Sequence, residues 1–130
     1  MWKRTRGQST VEALLVTFVL LALVFGGFET ARAVALKQAL DRGAYEAARY
    51  IAVHGDPVQG EQVAREAVGR AILGGDPTQV TFTTTWYAGI DYGDAFCVTL
   101  AYPLTLDMPL VATVSTTLRS EHCTTYEVYP

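Results

Sequence analysis

The chain has 130 residues, the size of one small domain, and its 10 Lys and Arg against 13 Asp and Glu leave a formal charge of −3. That mild acidity argues against a nucleic-acid partner, which needs clustered basic side chains. Half of the residues are hydrophobic. They include an uncharged run from Ala13 to Phe28, and no internal repeat, low-complexity tract or Gly/Ser-rich linker follows it.

Met1 to Gly7 carries Lys3, Arg4 and Arg6. Counted from Gln8, the helical pattern continues for about 20 residues, enough to cross a hydrocarbon core. The positive-inside rule then holds the N-terminus in the cytoplasm and sends everything after Phe28 across the membrane. A cleaved secretory signal fits poorly, because the run is too long and Gly26-Gly27-Phe28-Glu29 lacks the small-residue cleavage pattern. A plain signal anchor accounts for the run but not for Glu12. An acid at the start of a span is costly unless it is partnered or snorkels.

Beyond Phe28 the apolar positions thin to Ala33, Leu36, Leu40, Ala44, Ala47 and Ile51, one stripe at helical spacing. Arg32, Lys37, Arg42, Glu46 and Arg49 occupy the other side, with Arg42 and Glu46 four apart for weak mutual support. A single helix from about Gln8 to Val53 is expected, roughly 65–70 Å long at its rise per residue. Gly26-Gly27 is either its weak point, since glycine costs up to about 1 kcal/mol in a helix interior, or a place for close helix packing.

Gly55 ends this helix, and Asp56-Pro57 opens a second as N-cap and first-turn proline. Its expected stripe is Val58, Ala64, Ala67, Val68, Ala71 and Ile72, stopped by Gly74-Gly75-Asp76-Pro77. Three strands follow by alternation: Val80 to Trp86, Phe96 to Tyr102 and Leu110 to Leu118. The turn-rich Ala88 to Gly93 connection suits an antiparallel hairpin. An α+β fold is predicted, with a three-stranded antiparallel sheet laid on the upper half of the first helix so that both apolar surfaces are buried.

Cys97 and Cys123 both fall in the segment expected outside the cytoplasm, where an oxidising compartment favours a disulfide. Such a bridge would stabilise the fold by roughly 3 kcal/mol. A simple hairpin across Pro103–Pro109 would pair Cys97 with a residue near Thr116, so the tail after Arg119 would have to fold back for the bridge to form. Otherwise the two are buried or free thiols. His54 and His122 stand alone, the cysteines lack C-x-x-C spacing, and the glycine pairs form no phosphate loop. Asp91-Tyr92-Gly93-Asp94 offers calcium far fewer oxygen ligands than an EF-hand loop does, and reads as a solvated turn. No nucleophile, base and orienting group can be proposed together, so neither enzymatic activity nor a cofactor or metal is expected. Tyr126 and Tyr129 are expected to pack on the sheet rather than to form a partner surface.

Arg6-Gly7-Gln8-Ser9-Thr10-Val11-Glu12-Ala13-Leu14-Leu15 resembles the processing and assembly motif of TadE-like proteins, minor pilins or pseudopilins of tight-adherence (Tad) pilus systems. Leu40 to Tyr50 resembles the helix segment of that family, and Val98 to Pro103 with Leu118-Arg119 its closing strands. Two departures are Ala13, where a large residue such as phenylalanine is common, and the short segment between Pro103 and Val111. The resemblance implies that a prepilin peptidase cuts after Gly7, leaving Gln8 first and Glu12 fifth in the mature chain. It also implies a pilin-like fold, Glu12 as the assembly residue, and other Tad pilins or pseudopilins and the pilus assembly platform as partners. Residues 1–7 would then be a cytoplasmic leader, 8–28 a transmembrane and assembly helix, and 29–130 an exported domain, either anchored in a bacterial cytoplasmic membrane or carried on to a surface pilus. Loss of Lys3, Arg4 and Arg6 with the leader would leave a formal charge of −6. The other reading is an unprocessed single-pass membrane protein whose exported domain is a scaffold or binding module.

Overall fold

A computed structural model of the chain describes residues 6–71, 74–87, 89–108 and 112–128. Helix α1 spans Arg6–His54, α2 Pro57–Gly69, and a short 3-10 turn Pro77–Gln79 leads into β1 Thr81–Trp86, β2 Ala95–Met108 and β3 Ala112–Thr125. The strands form one antiparallel sheet in the order β1-β2-β3. The fold is α+β, with the sheet on the upper half of α1, as expected.

Helix α1 runs through Gly26 and Gly27 without a break, so the glycine pair does not end it. A side-chain carbon placed at either glycine would meet nothing within 4 Å, and none of the described residues packs closely there. The expected stripe is the core: Leu36, Leu40, Ala44, Ala47 and Ile51 are fully buried, with Ala33 at the edge of the cluster. Facing it are Phe96, Val98, Leu100, Tyr102 and Leu104 from alternate positions of β2. Phe82 and Trp86 of β1 and Leu118 of β3 pack at the margin. Such burial contributes roughly 1.5–3 kcal/mol for each large apolar side chain.

The two helices meet through small residues. Gly60 of α2 lies so close to α1 that an added Cβ would stand 2.5 Å from Ile51 Cγ1. Gly55 ends α1 in the left-handed region at φ 70°, donating its N–H to the Ile51 carbonyl at 2.8 Å. Asp56 caps α2 as expected, its Oδ1 accepting from the amides of Val58 at 2.9 Å and Gln59 at 3.2 Å. Two expectations for α2 fail. Val58 is 74 % exposed, because only the Gly60, Ala64 and Val68 face meets α1 and the sheet. The helix also ends at Gly69, before Gly74. Arg65 Nη1 donates to the Pro77 carbonyl at 2.7 Å, and Asp76 N donates to Tyr102 Oη at 3.1 Å. These bonds draw the chain back across α2 and end it early. Ile72 lies outside the described residues.

The β2–β3 hairpin is longer than the alternation suggested. Its register pairs Met108 with Ala112 and Cys97 with Cys123, so Thr116 lies opposite Leu104. Pro103 is the reason for the difference: it was expected to end a strand, yet it sits inside β2. Cys97 and Cys123 approach to 4.0 Å between Cα atoms, the spacing of a non-hydrogen-bonded pair. Pro103 shares the parity of Cys97, so its backbone nitrogen points away from β3. On that side β1 reaches only to the level of Ala101, and the missing N–H breaks no ladder bond.

Candidate membrane and assembly helix

The sequence places its first candidate residues on the bare end of α1. Every described side chain from Gly7 to Phe25 is exposed, including Val11, Leu14, Leu15, Phe18, Leu21 and Leu23. By length and composition this helix can cross a membrane, and its most apolar stretch buries nothing inside the chain. Water would not tolerate such a surface uncovered. Thr17 and Thr30 donate their hydroxyls to the carbonyls of Ala13 and Gly26, each at 2.8 Å. Both hydroxyls thus find partners inside the helix, as a low-dielectric surrounding requires.

Gly7, Gln8 and Glu12 lie within the first two turns of α1, all exposed. No described residue bonds the Glu12 carboxylate. The next acid along the helix is Glu29, paired with Arg32 at 3.5 Å just beyond the uncharged run. Among the described residues, Glu12 thus stands as a lone carboxylate at one end of a bare apolar rod, with the Glu29–Arg32 ion pair at the other.

The upper end of α1 is clamped to β3 by polar contacts that periodicity alone could not find. Lys37 Nζ donates to Asp41 Oδ1 at 2.7 Å and to the Arg119 carbonyl at 2.6 Å. Ser120 Oγ donates to Asp41 Oδ1 at 2.5 Å. The Lys37 hydrogen bond, then that of Ser120, holds the Asp41 carboxyl below its ordinary value. Above this clamp His122 stands edge-on to Tyr45, with ring centroids 5.0 Å apart. At the top Glu127 N donates to the Ala52 carbonyl at 2.9 Å. Lys37 and Asp41 are four apart on one helix face, but that spacing says nothing of β3. The β3 partners lie some 80 residues away (|i−j| = 79 for Asp41 and Ser120).

Cys97 and Cys123 are joined by a disulfide across β2 and β3, on the sheet face away from α1. The tail does not fold back to make it; the extended ladder sets the two opposite each other. Tyr87 Oη lies 3.6 Å from Cys97 Sγ and covers it. Glu121 is close to both sulfurs, but sulfurs bonded to each other offer no thiolate to a metal. Asp94 turns its carboxylate onto the amide of Asp91 at 3.0 Å, closing the β1–β2 turn. His54 stacks on Tyr50. Tyr126 packs edge-on against Trp86, with centroids 5.6 Å apart, and touches the core, whereas Tyr129 lies outside the described residues.

Residues 7–49 match the TadE-like protein family. The match covers the apolar rod, Glu12 and the part of α1 that carries the core stripe as far as Ala47, and so includes nearly all of the two helical segments whose resemblance was noted. The strand segments at Val98 to Pro103 and Leu118-Arg119 lie beyond it. No curated protein and no solved structure matches the chain. A TadE-like apolar helix, bare at one end and bound into a folded layer at the other, fits a Tad pilin-like membrane protein.

Proposed function

We propose that the chain is a minor pilin or pseudopilin that helps initiate or build a Tad-type, type IVc-like pilus. It inserts through α1 with its N-terminus in the cytoplasm and the α2 and sheet layer exported, and a prepilin peptidase removes Met1–Gly7. The observation that carries this reading is the continuity of α1. One unbroken helix offers an uncovered apolar half and a half locked into a small domain, so subunits leaving the lipid can pack their rods side by side without refolding. Glu12 then enters a low-dielectric core, where a buried charge is tolerated only when paired. The free amine of a neighbour's Gln8 is the partner that processing would create. The role is structural and non-enzymatic, and the other pilins, the peptidase and the assembly platform are its partners.

The test is the mass and N-terminal residue of the protein taken from the envelope of cells with an active Tad peptidase. Mature protein should begin at Gln8, and Gly7→Val should preserve the full-length form. Protein that retains Met1–Gly7 in such cells would overturn the pilin reading and leave an unprocessed membrane scaffold.

A further inference from the structure

The arm formed by the far ends of β2 and β3 has no role in the reading above. From Tyr102 to Leu118 its sequence contains one charged residue, Asp107. Asp107 and Thr113 pair across the hairpin on the face away from α1, where the threonine hydroxyl donates to the carboxylate at 3.2 Å. The alternate positions Leu106, Met108, Ala112 and Val114 form the opposite, apolar face, as two directly opposed pairs. This chain covers that face poorly. Every β3 residue from Ala112 to Thr117 is exposed, Val114 by 43 %, and Leu106 and Met108 are only partly buried.

The level of this arm along α1 follows from the contacts of β3. Ser120 meets Asp41, His122 meets Tyr45, and Glu127 meets Ala52, so the strand runs in the same direction as the helix. Over these contacts each of its residues advances about 1.4–2 residues of α1, a little below the ratio of the two rises per residue. Continued downward from Ser120, that advance sets Val114 level with about residues 29–33 of α1 and Ala112 level with about residues 25–30. Phe28 is the last residue of the uncharged run. Two observations agree with this level. Leu106 and Ala33 both pack at the margin of the core, and the Glu29 side chain keeps only 16 % exposure.

We propose that the β2–β3 arm is a second membrane contact, its Leu106, Met108, Ala112 and Val114 face resting in the interfacial layer of the leaflet from which α1 emerges. The occupant is lipid because the apolar face continues the bare surface of Phe25 and Phe28 at the level where the span ends. Depth is limited by the backbone. Beyond Ala101 the outer edge of β2 has no strand partner among the described residues, and unpaired backbone groups can lie among headgroups and water but not in the hydrocarbon centre. Asp107, on the opposite face, stays on the wet side. Two contacts, the span and the arm, would set the tilt of the exported layer over the bilayer. The proposal rests on reading α1 as a span.

The test uses the full chain, with its disulfide intact, in vesicles of phosphatidylcholine with a minority of phosphatidylglycerol. Ala112→Cys and Met108→Cys are each labelled with a nitrobenzoxadiazole fluorophore, with Thr83→Cys on the outer face of β1 and Val19→Cys in the apolar rod as references. Nitroxide lipids carrying the quencher at a shallow or a deep acyl position are then compared. Labels at Ala112 and Met108 should be quenched several-fold more than Thr83 by the shallow lipid, and less than Val19 by the deep one. Labels that behave like Thr83 while Val19 is quenched would overturn the arm contact and leave the span intact. An unquenched Val19 would remove both readings. Quenching at Ala112 that changes when protein is diluted into excess lipid would show that a second copy covers the arm, and would likewise overturn the proposal.

Discussion

The Cys97–Cys123 bridge closes a loop with a sequence separation of 26, and the chain-entropy relation gives about 3.5 kcal/mol for a loop of that length at 25 °C. The β2–β3 ladder already sets the two residues opposite each other, so cutting the bridge should leave the native register unchanged and act on the unfolded chain. With a denaturant slope near 2 kcal/mol/M, the urea midpoint should fall by about 1.5–2 M, and the slope should rise slightly because the freed chain exposes more surface. Trp86 is the reporter, stacked on Phe96 with ring centroids 4.6 Å apart. Its fluorescence is read in the full chain in detergent micelles, in a Trp2→Phe background that leaves one tryptophan. Reducing the protein isolates the cross-link, since both sulfurs remain. Cys97→Ala/Cys123→Ala adds up to about 1 kcal/mol for the space left at Cys97, which is only 2 % exposed. A loss below about 1 kcal/mol on reduction would refute the reasoning, showing that the unfolded chain holds this loop nearly closed without the bond.

Gly60→Ala should destabilise the protein by about 1–2 kcal/mol, the overpacking cost against Ile51 outweighing the helix-propensity gain; an unchanged urea midpoint would mean that the helices separate freely there. The folded-state pKa of Asp41 is depressed, so its contribution is present above the unfolded value near 3.8 and is lost as pH falls through the folded value. Wild type should therefore exceed Asp41→Asn in stability at pH 6, by less than about 1 kcal/mol because the Lys37–Asp41 pair is largely exposed. That advantage should shrink below pH 4 in urea titrations, and an advantage independent of pH would refute the clamp's ionic character. Glu12→Leu should insert and be processed normally yet fail to co-purify with pilin partners. Breaking a fully buried pair from one side costs about 3–5 kcal/mol, and less where water or headgroups reach it. Normal pilus number and co-purification in that strain would show that Glu12 does not register subunits.

The local features of this protein are legible in its sequence because each is set by neighbouring residues. The uncharged Ala13 to Phe28 run, the stripe from Ala33 to Ile51, the Asp56-Pro57 cap and the alternation of the strand cores all report which face of an element must leave water. The place of the proposed processing and assembly residues on the helix was legible for the same reason: Gly7, Gln8 and Glu12 sit in one contiguous motif at the edge of the apolar run. Features decided by residues distant in sequence were not legible. Pro103 reads as a strand end until it is clear that β1 stops short of it, and only then does the hairpin lengthen and bring Cys97 opposite Cys123. Val58 fits the apolar spacing of α2, but the close approach at Gly60 rotates that helix to a face which excludes it. Asp41 lies beside Ser120 because the register and packing of two elements fix their relative height. Periodicity specifies which face of an element is buried, whereas how far one element slides or turns against another depends on side-chain volumes and backbone edges that meet only after the chain has folded.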